Sequence, residues 1–126
     1  MLSVAPNSPV ILCIDDGELS LNGRREALGR QGYRVLSAHN GVAALQMFGA
    51  IHIDLVISDN RLPDLAGIDI LKEMKRLQPR VPIIMLSGLP AAPRNGNVAD
   101  LFINKGTSSE AFLAAVALLL GPTNSQ

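Results

Sequence analysis

The chain has 126 residues, with 11 basic and 11 acidic side chains and a formal net charge of zero. That length is typical of a single domain, and a hydrophobic fraction of 48% predicts a packed core and not a disordered chain. The neutral balance argues against a direct nucleic-acid partner, because nucleic-acid binders usually carry a basic excess.

Cysteine usage and hydropathy indicate the setting in which the protein works. The single cysteine, Cys13, lies in an apolar run, so we expect a buried core residue and no disulfide within the chain. No apolar run approaches the ~20 residues that a membrane helix needs, which argues against a membrane partner. The start of the chain, MLSVAPNSP, lacks the basic residues of a signal peptide. These features favour a cytoplasmic protein.

The first part of the chain alternates between apolar runs and amphipathic stretches. Residues 10–14 form a continuous apolar run, and residues 17–30 have the pattern of a polar-faced helix. A β-rich segment follows a glycine turn at 32–38. The stretch 40–48 predicts a short helix with Asn40 as its N-cap.

The middle of the chain repeats this alternation. The run DLVISD at 54–59 predicts a short strand. Residues 67–79 then predict a helix that stops at a proline. Its apolar stripe comprises Ile70, Leu71, Met74 and Leu77.

The last part adds two strands, at 81–88 and 101–104, and a final helix at 108–122 capped by Ser108 or Ser109. Strands that are apolar at every position are buried on both faces. Strands alternating with helices therefore predict a parallel sheet with helices on both sides.

We expect one folded domain at 9–121, preceded by a flexible N-terminal tail at 1–8 and followed by a C-terminal tail at 122–126. The tail sequences are short and contain prolines, which suits segments outside the packed layers.

Polar side chains follow four of the five predicted strands. Asp15 and Asp16 come after the first, Asp59 after the third, Ser87 after the fourth and Lys105 after the fifth. Each residue alone is more often a helix cap, a turn former or a solvated side chain. Together they indicate a site, because ligands of open parallel sheets bind beyond the carboxyl ends of the strands.

The acidic members of this set favour a metal ion. Three carboxylates in one pocket must hold either a proton or a cation, and an all-oxygen set suits Mg²⁺. His39 and His52 lie in no zinc-ligand motif, and we take Ser37 and His39 after the second strand as ordinary loop residues.

Four arginines cluster in the first third of the chain. We interpret them as a solvated helix face, with a docking patch for an acidic partner as the alternative. They are Arg24, Arg25, Arg30 and Arg34.

From about Val10 to Leu120 the chain resembles the receiver domain of bacterial two-component response regulators. The resemblance depends on DD after the first strand, SDNRLPDLAG after the third, SG after the fourth and NK after the fifth. It implies a flavodoxin-like, doubly wound α/β fold with five parallel strands in the order 2-1-3-4-5. It also implies phosphorelay signal transduction.

The resemblance assigns the chemistry to particular residues. Asp59 would accept a phosphoryl group from a sensor histidine kinase or a phosphotransfer protein. Asp16, Asp59 and the backbone carbonyl of Arg61 would bind Mg²⁺ directly, and Asp15 would bind it through water or orient the other ligands. The protein would then be a phosphoacceptor switch and not an enzyme, and its output would pass to a downstream protein or a homodimer.

Three further positions follow from the same resemblance. Lys105 would pair with Asp59 and then with the phosphoryl group. Ser87 would donate a hydrogen bond to the phosphoryl group and couple it to the neighbouring loop. Phe102 would be the aromatic side chain that changes rotamer on activation.

Two departures from the family pattern stand out. Gly106 replaces a common proline after Lys105, so either that peptide bond is a strained cis bond or the loop has another shape. The stretch GLPAAPRNGN at 88–97 contains poor helix formers where the family has its fourth helix. We predict that this helix is short or missing, which would change the partner or the mode of dimerisation.

Two other functions compete with this one. A binding module of the same fold that works without phosphorylation is the alternative, although a retired site would tolerate loss of its charged residues. A phosphatase with a nucleophilic aspartate after the first strand needs a second aspartate two positions later. Gly17 and Glu18 stand there instead.

Overall fold

The computed structural model describes residues 8–59, 67–88 and 99–121. The predicted tails, apart from residue 8, lie outside these ranges, and so do residues 89–97 of the stretch 88–97, where a helix was predicted to be short or missing. In chain order the described elements are β1 (Val10–Ile14), α1 (Glu18–Arg30), β2 (Arg34–Ala38), α2 (Gly41–Ala50), β3 (Leu55–Asp59), α3 (Gly67–Leu77), β4 (Ile83–Ser87), β5 (Leu101–Asn104) and α4 (Ser109–Leu120).

The five strands form one parallel sheet in the order β2-β1-β3-β4-β5. This confirms the predicted flavodoxin-like fold. The order reverses between β1 and β3, so the carboxyl ends of these two strands lie side by side. Cys13 of β1 pairs with Ser37 on one side and Ile57 on the other, which fixes the relative height of the strand ends.

The sheet separates two hydrophobic clusters, because successive side chains of a strand point to opposite faces. On one face, Leu12 and Ile14 pack with α2 and α3; on the other, Ile11 and Cys13 pack with α1 and α4. Full burial of Phe48 on α2 contributes about 1.5–3 kcal/mol relative to an exposed side chain.

Cys13 confirms its predicted place in the core. Its side chain is fully buried and free, and burial raises the pKa of the thiol from 9.0 to about 12. A thiol with this pKa stays protonated at neutral pH, so it offers no thiolate to a reagent or a metal.

The helix ends follow the predicted caps. The Asn40 side chain accepts a hydrogen bond from the Ala43 N–H at 2.8 Å, and Ser108, not Ser109, accepts one from the Ala111 N–H at 3.2 Å. Gly121 ends α4 with a φ of 77°, a left-handed conformation that favours glycine.

One predicted core position is wrong. Leu77 was expected on the buried stripe of α3, but its side chain is 46% exposed. It is the last residue of the helix, where the chain passes into the exposed segment 78–80 and leaves the sheet.

Candidate metal centre

Three carboxylates gather at the carboxyl edge of the sheet. Asp15 and Asp16 follow β1, and Asp59 is the last residue of the adjacent β3. One oxygen from each of the three lies within 4.8 Å of the others. Asp15 and Asp59 are buried, whereas Asp16 is exposed. The structure therefore brings together the three aspartates that the sequence placed at one edge.

Local hydrogen bonds fix the orientation of Asp15. Its Oδ1 accepts the Gly17 N–H at 2.8 Å, and its own N–H donates to the Ala38 carbonyl at 3.1 Å. A Cβ at position 17 would lie 3.3 Å from Asp15 Oδ1, tighter than ordinary van der Waals contact. Glycine thus lets the backbone approach this carboxylate closely as α1 begins.

Lys105 supplies a positive charge to Asp59. The Lys105 Nζ lies 2.9 Å from Asp59 Oδ1. The Lys105 N–H donates to the Ser87 carbonyl at 2.8 Å, which ties the end of β5 to the end of β4. The lysine side chain is 41% exposed, so the ion pair faces solvent on one side.

Ser87 and Phe102 occupy different positions relative to the cluster. Ser87 ends β4 and is 1% exposed, one residue beyond Leu86, which pairs with Asp59. Phe102 is half-buried on β5 and packs against the cluster of α2 and α3. Ser87 therefore lies at the edge that carries the aspartates, and Phe102 lies within the sheet.

The loop after β5 contains Gly106 at the position where the family commonly has a proline. No peptide bond of the described residues is cis, so the Lys105–Gly106 bond is trans. The Gly106 N–H donates to Asn104 Oδ1 at 2.7 Å, and the Thr107 N–H donates to the Asn104 carbonyl at 3.0 Å. Of the two possibilities left by the sequence, the loop of another shape is the one observed.

Arg24 corrects the interpretation of the arginine cluster. Arg25, Arg30 and Arg34 are exposed as expected, but the Arg24 side chain is only 15% exposed, and its Nη1 lies 2.9 Å from Asp15 Oδ2. The signal was present in the sequence. Arg24 stands three residues after Leu21 and four before Leu28, on the buried stripe of α1.

The cluster fits a hard divalent cation. Its donors are all carboxylate oxygens, the ligands that Mg²⁺ prefers, and opposite ligands of Mg²⁺ lie about 4.2 Å apart. Within the described ranges, the buried Asp15 Oδ2 has no hydrogen-bond partner of suitable geometry, so it has acceptor capacity to spare. The proposed fourth ligand, the carbonyl of Arg61, lies outside the described residues.

Comparisons with known proteins agree with this arrangement. A family model described as the response regulator receiver domain matches residues 11–117. A crystal structure of a CheY-like receiver domain protein from Methanospirillum hungatei superposes with a TM-score of 0.85 at 26% identity, covering 90% of this chain and 94% of that one. The response regulator TrrA of Thermotoga maritima, solved in complex with Mg(2+)-BeF, gives 0.83 at 26% identity over 88% and 98%.

Curated relatives are much longer proteins. The chain is 37% identical over 68% of its length to the autoinducer 1 sensor kinase/phosphatase LuxN of Vibrio campbellii, and spans 11% of that protein. It is 38% identical over 61% of its length to the regulatory protein AtoC of Escherichia coli, and spans 17% of it. Among the described residues, no helix is both long enough and apolar enough to cross a membrane.

Proposed function

The chain belongs to the response regulator receiver domain family, and from that premise we propose that it is a phosphorelay switch that accepts a phosphoryl group on Asp59. The observation that carries the proposal is the position of Asp59, which is 6% exposed, lies within the carboxylate cluster and has Lys105 Nζ 2.9 Å from its Oδ1. The donor would be a sensor histidine kinase or a phosphotransfer protein, and the receiver of the signal a downstream protein or a second copy of the chain.

The chemistry needs charge neutralisation more than covalent assistance. An Asp59 oxygen forms a bond to the phosphorus as the bond between phosphorus and the donor nitrogen breaks. The Lys105 Nζ already contacts the Asp59 carboxylate, so it can pair with the negative oxygens of the phosphoryl group once this is transferred to Asp59. When bound by Asp15, Asp16 and Asp59, Mg²⁺ supplies further positive charge against the repulsion between carboxylate and phosphate.

The switch must begin at residues next to the modified aspartate. A phosphoryl group brings about −1.5 to −2 charge, and a charge-assisted hydrogen bond from Ser87 contributes about 1.5–3 kcal/mol. Moving a population from 1:99 to 99:1 requires about 5.5 kcal/mol. Lys105 or partner binding must therefore add to Ser87, and Phe102 is the candidate for passing the change along β5.

Mass spectrometry after incubation with acetyl phosphate and Mg²⁺ tests the proposal. We expect one phosphoryl adduct on the wild type and none on Asp59→Ala. The variant Asp69→Ala, which removes an exposed carboxylate on α3, is the matched control and should be modified like the wild type. A wild type that stays unmodified would favour the phosphorylation-independent binding module, and an adduct on Asp59→Ala would show that the acceptor is another residue.

A further inference from the structure

Arg24 places a second positive charge against the acidic cluster, at Asp15, whereas Lys105 contacts Asp59. Its Nη1 lies 2.9 Å from Asp15 Oδ2, and its side chain is 15% exposed. The next residue on α1, Arg25, is exposed. The cluster thus has a cation attached to the fold itself, whether or not a metal ion is bound.

The contact with Asp15 is weaker than an arginine–carboxylate pair can be. Arginine binds a carboxylate best through two parallel hydrogen bonds. Here the observed contact joins Arg24 Nη1 to Oδ2, while Asp15 Oδ1 accepts the Gly17 N–H. Both Nη1 and Oδ2 are buried, yet neither has a well-aligned hydrogen bond among the described residues. The pair is therefore a close ion pair at 2.9 Å through one nitrogen and one oxygen.

The structure also offers the guanidinium another place to lie. A cavity of about 250 Å³ opens between α1, α4 and the end of β5, and Arg24 is part of its wall. Polar groups from Ser20, Asn104 and Thr107 line the same cavity. Lys105 also lines this cavity, so the cavity offers Arg24 space beside Asp15, with α1 intact, but no second anion.

We infer that Arg24 is a tethered counter-ion that competes with Mg²⁺ for Asp15. Without metal it neutralises part of the charge of the cluster. When Mg²⁺ binds beside Asp15, directly or through water, Arg24 either leaves Oδ2 or stays close to a second cation at the cost of repulsion between the two. Arg24 would thereby weaken Mg²⁺ binding and raise the Mg²⁺ concentration at which the site fills. This inference depends on the metal site of the proposed function, but not on phosphorylation.

Calorimetric titration with Mg²⁺ alone, without a phosphodonor, tests the inference. We expect Arg24→Met, which keeps an unbranched apolar stem and removes the charge, to bind Mg²⁺ about tenfold more tightly than the wild type. Arg25→Met removes the same net charge one residue away and should stay within about twofold. Arg24→Lys retains the charge and should lie closer to the wild type than Arg24→Met does.

Each outcome of the titration either supports or overturns the role of Arg24. Unchanged or weaker binding by Arg24→Met overturns the inference, as does an equal gain in Arg25→Met or a lack of Mg²⁺ binding by both the wild type and Arg24→Met. If Arg24→Met unfolds without metal, folding on addition of Mg²⁺ supports the inference, and failure to fold at saturating Mg²⁺ overturns it. A wild type that accepts no phosphoryl group but shows the predicted shifts would contradict the proposed function and leave the role of Arg24 intact.

Discussion

Aspartates stand at both edges of the sheet, and the two edges use them differently. At the amino edge, Asp54 accepts the Val10 N–H and donates its own N–H to the Val10 carbonyl, both at 2.8 Å. Asp100 makes the same two contacts with Ile83, again at 2.8 Å. Each residue precedes a strand and links it to the first residue of its neighbour, so each carboxylate completes the hydrogen bonding of the sheet.

At the carboxyl edge the carboxylates face one another. Asp15, Asp16 and Asp59 bring oxygens within 4.8 Å, and the cations Lys105 and Arg24 lie beside them. Two like charges ~4 Å apart repel by about 4 kcal/mol at an effective dielectric constant of 20. The amino-edge aspartates each hydrogen-bond to the neighbouring strand, whereas the carboxyl-edge aspartates lie close to one another, and Asp15 does so while also accepting the Gly17 N–H. An aspartate at a strand end therefore indicates a binding site when other carboxylates lie beside it.

The largest effect is expected from removing a carboxylate at the carboxyl edge of the sheet, where Mg²⁺ affinity should fall. We expect Asp16→Asn to weaken Mg²⁺ binding by about a hundredfold, because it removes an exposed ligand from the cluster. Its metal-free stability should equal or exceed that of the wild type, because the substitution relieves repulsion between the carboxylates. Calorimetry and urea unfolding measure the two quantities.

The control for that experiment is Glu18→Gln. This substitution removes one negative charge two residues from Asp16. The Glu18 Oε1 contacts His39 Nε2 at 2.8 Å and does not belong to the carboxylate cluster. Mg²⁺ affinity should therefore stay within about twofold. Equal losses of affinity in Asp16→Asn and Glu18→Gln would mean that general charge, and not ligation, governs binding at this edge.

The amino edge should respond in the opposite way. We expect Asp100→Ala to lower the free energy of unfolding by about 2 kcal/mol, because the Ile83 N–H loses a charged acceptor. Mg²⁺ affinity should not change. The ion pair with Lys75, at 2.7 Å, contributes less, since Lys75 Nζ also donates to the Val81 carbonyl at 3.0 Å.

Asp100→Asn distinguishes the hydrogen bond from the charge. It retains an oxygen for the Ile83 N–H and removes only the ion pair, so the loss should be below about 1 kcal/mol. If Asp100→Asn and Asp100→Ala unfold at the same urea concentration, the backbone contact is not what stabilises this edge.

The sequence allowed the fold and most of the candidate site to be predicted, for a physical reason. Continuous apolar runs such as 10–14 and 55–59 identify buried parallel strands, and parallel strands bring their carboxyl ends to one edge. Asp15, Asp16 and Asp59 could therefore be grouped without coordinates. The distances between the three carboxylates depend on the register of β1 and β3, which the sequence pattern does not give.

Arg24 and the amino-edge aspartates were harder to predict. A charged residue on a helix is usually solvated, and Arg24 was therefore predicted to be exposed. Its spacing from Leu21 and Leu28 instead indicates the buried face of α1. The contacts of Asp54 and Asp100 with backbone N–H groups were not predicted, since their partners lie 44 and 17 residues away in sequence. Contacts between such distant positions follow from the sheet order and not from local composition.

The smallest expected effect tests whether every polar residue at the carboxyl edge belongs to the site. Asn40 follows β2, and its side chain accepts the Ala43 N–H at the start of α2. Asn40→Ala should cost about 1 kcal/mol of unfolding free energy, the usual value of an N-cap, while Asn40→Asp keeps an acceptor and loses less. Mg²⁺ affinity should be unchanged in Asn40→Ala, because β2 lies at the outer edge of the sheet, beyond the β1–β3 pair that carries the carboxylates. A loss of Mg²⁺ affinity in Asn40→Ala would mean that the metal site extends to the end of β2 and that Asn40 contributes to it as well as capping α2.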